Sequence, residues 1–238
     1  MARLARLVVP GLPHHITQRG NGGQKVFFTD ADYELYMTLL TENCMMAGVR
    51  CLAFALLPNH IHAILVPADE DGLRAALAPV HRHYAGALNA RRRRTGHFWQ
   101  GRYGAAVMDE DHLVSAFRYI LLNPVTAGLA RTPAAWPWSS AGAYLKGTPD
   151  GLTDVGPMLS RFPDIGSLIK EEQAVPVRDD ETIGRPLGSK SFFVRIEKKT
   201  GRNLQPRRPG PKPGLKPGLK RKLRALSPKS KSRAPSPK

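Results

Sequence analysis

Two apolar runs, Arg50-Cys-Leu-Ala-Phe-Ala-Leu-Leu57 and His60-Ile-His-Ala-Ile-Leu-Val66, meet across Pro58-Asn59. Each has the length of a strand. A two-residue link of turn-forming residues then leaves an antiparallel hairpin as the reading. Whatever else the chain builds must be arranged around that hairpin, because helical periodicity flanks it on both sides.

Upstream, residues 13–19 read as a short strand stopped by Gly20-Asn21-Gly22-Gly23. Thr29 or Asp30 caps a helix that runs to about Ala47 and stops at Gly48. Downstream, a second helix begins near Asp71, carries Leu73, Leu77, Val80, Tyr84 and Leu88 on one stripe, and runs out at Arg91–Arg94 and Gly96. After an aromatic and amide-rich loop, His97–Arg102, a strand near 104–108 precedes a third helix. That helix starts at Asp109-Glu110-Asp111 and is expected to end at Pro124. The order strand, helix, strand, strand, helix, strand, helix predicts a ferredoxin-like split βαβ arrangement of the α+β class. An antiparallel sheet would carry helices on one face and leave the other open. Trp136-Pro-Trp-Ser-Ser140 and Tyr144 read as a closing segment for a domain spanning 1–146. Beyond it, periodicity fades into an extension, 147–204, with a short helix expected at 189–199.

The 238 residues carry net charge +17, distributed unevenly. From Lys198 to Lys238 there is no acidic residue and fifteen are Lys or Arg. The Pro, Gly, Lys and Ser composition of 205–238 cannot bury a core, so a disordered basic tail is expected there. Such a tail implies a polyanionic partner, nucleic acid before a membrane surface, since no amphipathic apolar stripe accompanies the charge. Cys44 and Cys51 make no metal-ligand spacing and read as buried thiols in a reducing compartment. Without a signal-peptide core or a spanning apolar run, a cytoplasmic protein is expected.

Against this background two pairs of side chains stand out. His60 and His62, at i and i+2 on a strand, point to one face. Tyr119 and Asn123, at i and i+4 on the third helix, share a face with His112 and Ala116, apart from the stripe Leu113, Phe117, Ile120 and Leu121. A lone His-x-His also fits a pair of hydrogen-bonded surface histidines. A tyrosine one turn from an amide ligand, off the apolar stripe, tips the reading toward chemistry. Neutral imidazoles and the Asn123 carbonyl oxygen can hold Mg²⁺ or Mn²⁺ with positions left open. The Tyr119 phenolate could then attack a phosphodiester, leaving a phosphotyrosine and a free hydroxyl. The bond energy is kept in the linkage, so a second DNA hydroxyl can reverse the step.

Several separated segments resemble one family. Leu-Leu-Pro-Asn-His-Ile-His-Ala-Ile-Leu, Arg-Tyr-Ile-Leu-Leu-Asn-Pro-Val-Thr-Ala-Gly-Leu and Trp-Pro-Trp-Ser-Ser look like the HUH single-tyrosine transposases, specifically the REP-associated tyrosine transposases of bacteria. Pro-His-His-Ile-Thr-Gln-Arg-Gly and His-Phe-Trp-Gln-Gly-Arg-Tyr are similar to further segments of that group. The likeness covers roughly 8–145 and, less specifically, Gly184-Arg-Pro-Leu-Gly188 with the basic tail. It implies a ferredoxin-like catalytic domain, a divalent ion, and single-stranded DNA next to a hairpin as substrate. It implies Tyr119 as nucleophile, His60 and His62 as the HUH pair, and Asn123 as third ligand. A monomer or homodimer associated with the nucleoid through DNA is expected.

Single-strand binding calls for a basic groove and aromatic platforms. Trp99, Gln100 and Arg102 offer both, although a loop packed with Trp99 and Phe98 in the core reads equally well. Arg91, Arg92, Arg93 and Arg94 could meet phosphates or simply favour a helix C-terminus. His14, His15, Gln18 and Arg19 could line the site from the first strand. Two rivals remain at this level: a domesticated hairpin-binding protein without turnover, and a metal hydrolase that activates water and has no use for Tyr119.

Overall fold

A computed structural model describes residues 6–170 and 185–204. The described residues up to Leu204 belong to one compact unit, so the 147–204 extension is not a separate body. The expected tail, 205–238, lies outside the described residues.

Four strands, β1 (His14–Arg19), β2 (Arg50–Leu57), β3 (His60–Val66) and β4 (Gly104–Val107), form one sheet in the order β2-β3-β1-β4. Every neighbouring pair is antiparallel. β3 is thus an interior strand, paired with β2 through the hairpin and with β1 by the crossover. Helices α1 (Asp30–Met46) and α2 (Gly72–Arg91) connect the strands as the split βαβ order requires. They pack on the sheet face presented by Ile16, Phe54, Leu56, Ile61, Ala63 and Leu65, which meets Tyr36, Leu40, Leu77 and Tyr84.

The opposite face is not open, contrary to the expectation from sequence. Helix α3 (Glu110–Thr126) covers it, placing Leu113, Phe117, Ile120 and Leu121 against Ala53, Ala55, Leu57, Ile64 and Val66. Short helices α4 (Ala141–Lys146), α5 (Gly156–Arg161) and α6 (Ile165–Leu168) extend that layer through Tyr144, Met158, Ile165 and Leu168. The physical reason is legible in β2 and β3. Both are almost continuously apolar and buried, the pattern of strands covered on two faces.

A second correction concerns Pro124, which lies inside α3 rather than at its end. Proline removes one N–H and crowds the carbonyl four residues back. Here it falls within the last turn, where the helix loses a single bond and still closes through Ala127 N–H to Asn123 C=O at 2.8 Å.

Both outer strands are covered. Along β2, Leu56 N–H donates to Trp138 C=O, Ser140 N–H to Phe54 C=O, and Trp136 Nε1–H to Leu56 C=O at 3.0 Å. Along β4, Leu187 N–H donates to Val107 C=O and Asp109 N–H to Leu187 C=O. Covered edges cannot template pairing with another chain. The helix expected at 189–199 is α7 (Lys190–Thr200), whose Phe192 and Ile196 pack with Leu7, Val9 and Val107.

Candidate active site

Cross-strand partners share a face, so the β1–β3 register sets the neighbourhood of the histidines. Arg19 opposes His60, Thr17 opposes His62, and His15 opposes Ile64. His15, Thr17 and Arg19 therefore stand on the α3 side of the sheet with His60 and His62. His14 and Gln18 alternate to the other side with Ile16. His14 is a structural residue there, its Nδ1–H donating to Leu12 C=O at 2.8 Å and its Nε2 accepting Val9 N–H at 3.1 Å. Burial pushes its pKa down to about 4. Gln18 donates to Gly101 C=O at 3.2 Å and ties β1 to the 97–102 loop.

On the site face the rings form a chain. His60 and His62 lie edge to face with centroids 4.9 Å apart, and His62 meets Tyr119 in the same way at 5.2 Å. His15 stacks on His62 at 5.3 Å, with His15 Nε2 and His62 Nδ1 3.1 Å apart and sharing a hydrogen bond. His60 Nδ1–H donates to Asn59 Oδ1 at 2.6 Å, which leaves Nε2 as the nitrogen that carries the lone pair. Asn59 was not singled out from sequence; its position directly before the first histidine was the available signal. His62 is held neutral: burial first, then the neighbouring His15, His60 and Arg19, push its pKa well below the ordinary imidazole value.

Helix α3 supplies the other wall. Asp109 caps it by accepting His112 N–H, and the acidic first turn suits the helix dipole. Ala116 is buried in the core that includes Ile64 and Val66, and Tyr119, on the same side of the helix, meets His62 of β3. Tyr119 is half-buried with its ring on His62, and Asn123 is buried one turn further on. Arg118, beside the tyrosine, is also buried, a cation that sequence periodicity did not flag.

Among the described residues no group of three or more His, Cys, Asp or Glu converges as a metal site. A cation here would rest on two imidazoles and the Asn123 amide oxygen, completed by water or substrate oxygens. Imidazole nitrogens suit borderline divalent ions and the amide oxygen suits hard ones such as Mg²⁺ or Mn²⁺, so this mixed donor set is compatible with a divalent cation that keeps exchangeable positions.

The residues expected at a DNA-binding surface separate into two kinds. Arg91 forms an ion pair with buried Asp32, and the Arg92 guanidinium lies 3.6 Å over the Phe28 ring. Arg93, with φ of 50°, and Arg94 are exposed at the end of α2. Trp99 is packed against His81 and Tyr84 and donates Nε1–H to His81 C=O at 2.9 Å. Gln100 is exposed and binds Arg19 C=O through its backbone N–H at 2.9 Å, next to exposed Arg102. Between α2 and this loop lies an open cleft of about 430 Å³, bordered by Asn89, His97, Trp99 and Arg102.

Residues 9–123 match the sequence profile of the IS200-like transposases. Among solved structures, the chain is similar to the REP-associated tyrosine transposase bound to a REP hairpin. That match has 19% identity and a TM-score of 0.51, and covers 65% of this chain and 90% of the other. A protein from Deinococcus radiodurans R1 described as a transposase matches at 18% identity and a TM-score of 0.36, over 50% of this chain and 95% of its own. No curated protein sequence matches.

Proposed function

We propose that this chain, whose residues 9–123 match the IS200-like transposase profile, cleaves and rejoins single-stranded DNA beside hairpins through a covalent bond to Tyr119. The observation that carries this reading is the meeting of Tyr119 with His62. A phenol from α3 and an imidazole from β3, far apart in sequence, are brought face to edge at a half-open position.

The Tyr119 ring packs edge to face on His62, and the residue is half-buried. Oη bonds to phosphorus as the P–O bond to the departing strand breaks. The phenol gives up its proton, and the departing oxygen takes one up. The reverse attack by another strand's hydroxyl restores the phosphodiester and frees the tyrosine. His60, His62 and Asn123 would hold a divalent cation, which when bound supplies charge stabilisation to the non-bridging phosphate oxygens. Asn59 and His15 orient the two imidazoles. Arg19 brings a cation to the same face of the sheet. Arg93, Arg94, Gln100 and Arg102 offer donors along the route of a strand entering beside β1. Hairpin DNA as the partner is carried over from the solved relative bound to a REP hairpin. No helix among the described residues is long and apolar enough to cross a membrane, and a cytoplasmic site of action is part of the proposal.

The test is incubation of the full chain with end-labelled hairpin-flanked single-stranded DNA and Mn²⁺. A labelled band that survives denaturation is expected, and Tyr119→Phe should abolish it with DNA affinity within about twofold, because the substitution removes one hydroxyl and keeps the ring. A band that persists in the variant assigns the attack to another residue. No band in either protein, with hairpin binding intact, marks a binding protein without turnover.

A further inference from the structure

Asp109 is shared between two helices. Its Oδ1 caps α3, accepting His112 N–H at 3.2 Å and His112 Nδ1–H at 2.7 Å. Its Oδ2 accepts the backbone N–H of Ser189 at 2.7 Å, and Ser189 is the N-cap of α7, with its own Oγ accepting Phe192 N–H at 3.3 Å. One carboxylate thus joins the start of the helix that carries Tyr119 to the start of the C-terminal helix. The backbone repeats the connection one step earlier, where Leu187 forms a parallel bridge to Met108 and accepts Asp109 N–H at 3.0 Å. Gly188 fits between them only as glycine. A Cβ there would stand 2.9 Å from Asp109 Oδ2 and collide with the Phe192 ring. The Arg-Pro-Leu-Gly run of 185–188 is therefore built to close on the first turn of α3.

We propose that the segment Arg185–Leu204, which lies outside the family-matched residues, is a positioning element of the strand-transfer site, acting through Asp109 on the helix that carries Tyr119. This rests on the reading of Tyr119 given above. Tyr119 lies ten residues beyond Asp109, ~15 Å along the helix axis. A tilt of roughly 4° at the capped end moves a group at that distance by about 1 Å, and a displacement of about 1 Å can cost on the order of a hundredfold in a reaction that depends on alignment. The far end of α3 has its own anchor, Leu129 N–H to Pro124 C=O at 2.8 Å. The clip at Asp109 fixes the direction in which α3 leaves β4, and so sets that tilt. α7 is in turn seated by Phe192 and Ile196 against Val107, on the strand that leads directly into Asp109.

Ser189 allows the bond to be removed with little else changed. Its φ of −67° is the value proline imposes, so Ser189→Pro keeps the backbone angle while deleting the N–H that Asp109 accepts, and its Cδ displaces the carboxylate from that place. Ser189→Ala keeps that N–H and loses only the hydroxyl cap. The difference between the two isolates the Asp109 bond, and Gly188→Ala attacks the same contact from the other side. In the full chain, Ser189→Pro and Gly188→Ala should slow adduct formation at saturating DNA by about tenfold or more relative to Ser189→Ala, with hairpin affinity unchanged within about twofold. Tyr84→Phe serves as a stability control. It loses a hydrogen bond to Val26 C=O in the opposite layer and should leave the rate at saturating DNA unchanged. Equal rates in Ser189→Pro and Ser189→Ala, or a defect that disappears at saturating DNA, would overturn the proposal. Amide hydrogen exchange over 110–123 without DNA gives a readout independent of chemistry. Faster exchange in Ser189→Pro than in Ser189→Ala is expected, and identical exchange counts against the clip. If the wild type forms no adduct at all, the reading of Tyr119 fails, while the exchange comparison still decides whether the clip governs α3.

Discussion

The ring of His62 meets the ring of Tyr119 edge to face, with centroids 5.2 Å apart and planes at 89°. On its other side the same imidazole shares a hydrogen bond with His15. Which partner carries the proton matters. For His62 to offer Nε2 to a cation, its proton must sit on Nδ1 and be donated to His15. The opposite tautomer closes Nε2 with a hydrogen.

His15 should therefore act on the site without touching the substrate. His60→Ala and His62→Ala are expected to remove adduct formation, and His15→Ala to reduce it about 10- to 100-fold, with the half-maximal Mn²⁺ concentration raised. His15→Gln can still accept from His62 Nδ1–H and should recover part of the loss. Asn123→Ala should be milder than either ligand histidine, since water can replace one neutral oxygen on Mg²⁺ or Mn²⁺. A wild-type Mn²⁺ response in His15→Ala would show that the tautomer is set elsewhere.

Two histidines remote from the chemistry should make the fold sensitive to acid. Burial lowers His14 to about 4 and His81 to about 3, the latter with its Nε2 3.0 Å from Tyr36 Oη. The unfolded chain binds these protons near pH 6.5. The stabilisation is therefore complete above that value and declines as pH falls toward the folded values. At pH 5 each histidine should cost about 2 kcal/mol relative to neutral pH. Urea unfolding at pH 7.5 and pH 5 measures this, and His81→Gln should flatten the dependence. Equal stability at the two pH values in the wild type would contradict it.

Much of this is legible in the sequence alone. Continuous apolar runs and the Pro58-Asn59 turn carried the hairpin, and period-two alternation placed His60 and His62 together. Helical periodicity put Tyr119 and Asn123 on one side of α3. Periodicity could not say which side of the sheet that helix would take, because the packing partner of an amphipathic helix is a tertiary choice. Nor could composition separate Arg91 and Arg92 from Arg93 and Arg94. The run looks uniform until α1 brings Asp32 under Arg91 and Phe28 lies under Arg92. Trp99 was poised between platform and core for the same reason; it is half-buried, with Nε1–H on the carbonyl of His81 and another part of the residue on the open cleft.

That division within the arginine run predicts opposite phenotypes. Asp32 is fully buried and also accepts the N–H groups of Phe28 and Thr29 at 2.8 and 3.0 Å, so Arg91→Ala leaves it partly satisfied. A loss of about 1–2 kcal/mol is expected, below the cost of fully orphaning a buried charge. Arg93→Gln with Arg94→Gln should leave stability unchanged. It should make the dependence of DNA affinity on salt shallower by up to ~0.7 per lost contact. Chemical denaturation and a salt titration of hairpin binding separate the two. A stability loss in the double variant with no change in salt slope would reverse the assignment.

The last test concerns residues 205–238, which hold most of the excess positive charge. Deleting them removes lysines and arginines without touching His60, His62, Tyr119 or Asn123, and ends the chain just after α7. Affinity for DNA should fall, and the plot of log affinity against log salt should become shallower, because each phosphate contact on a single strand contributes ~0.7 to that slope. Preference for hairpin over unrelated DNA should survive, since phosphate contacts position a chain without reading bases. Adduct formation at saturating DNA should survive too, because the Ser189–Asp109 bond and the packing of Phe192 and Ile196 lie upstream of the cut. A truncated chain that bound tightly but no longer chose its hairpin would make the tail a reader of sequence. Target recognition would then move out of the folded unit.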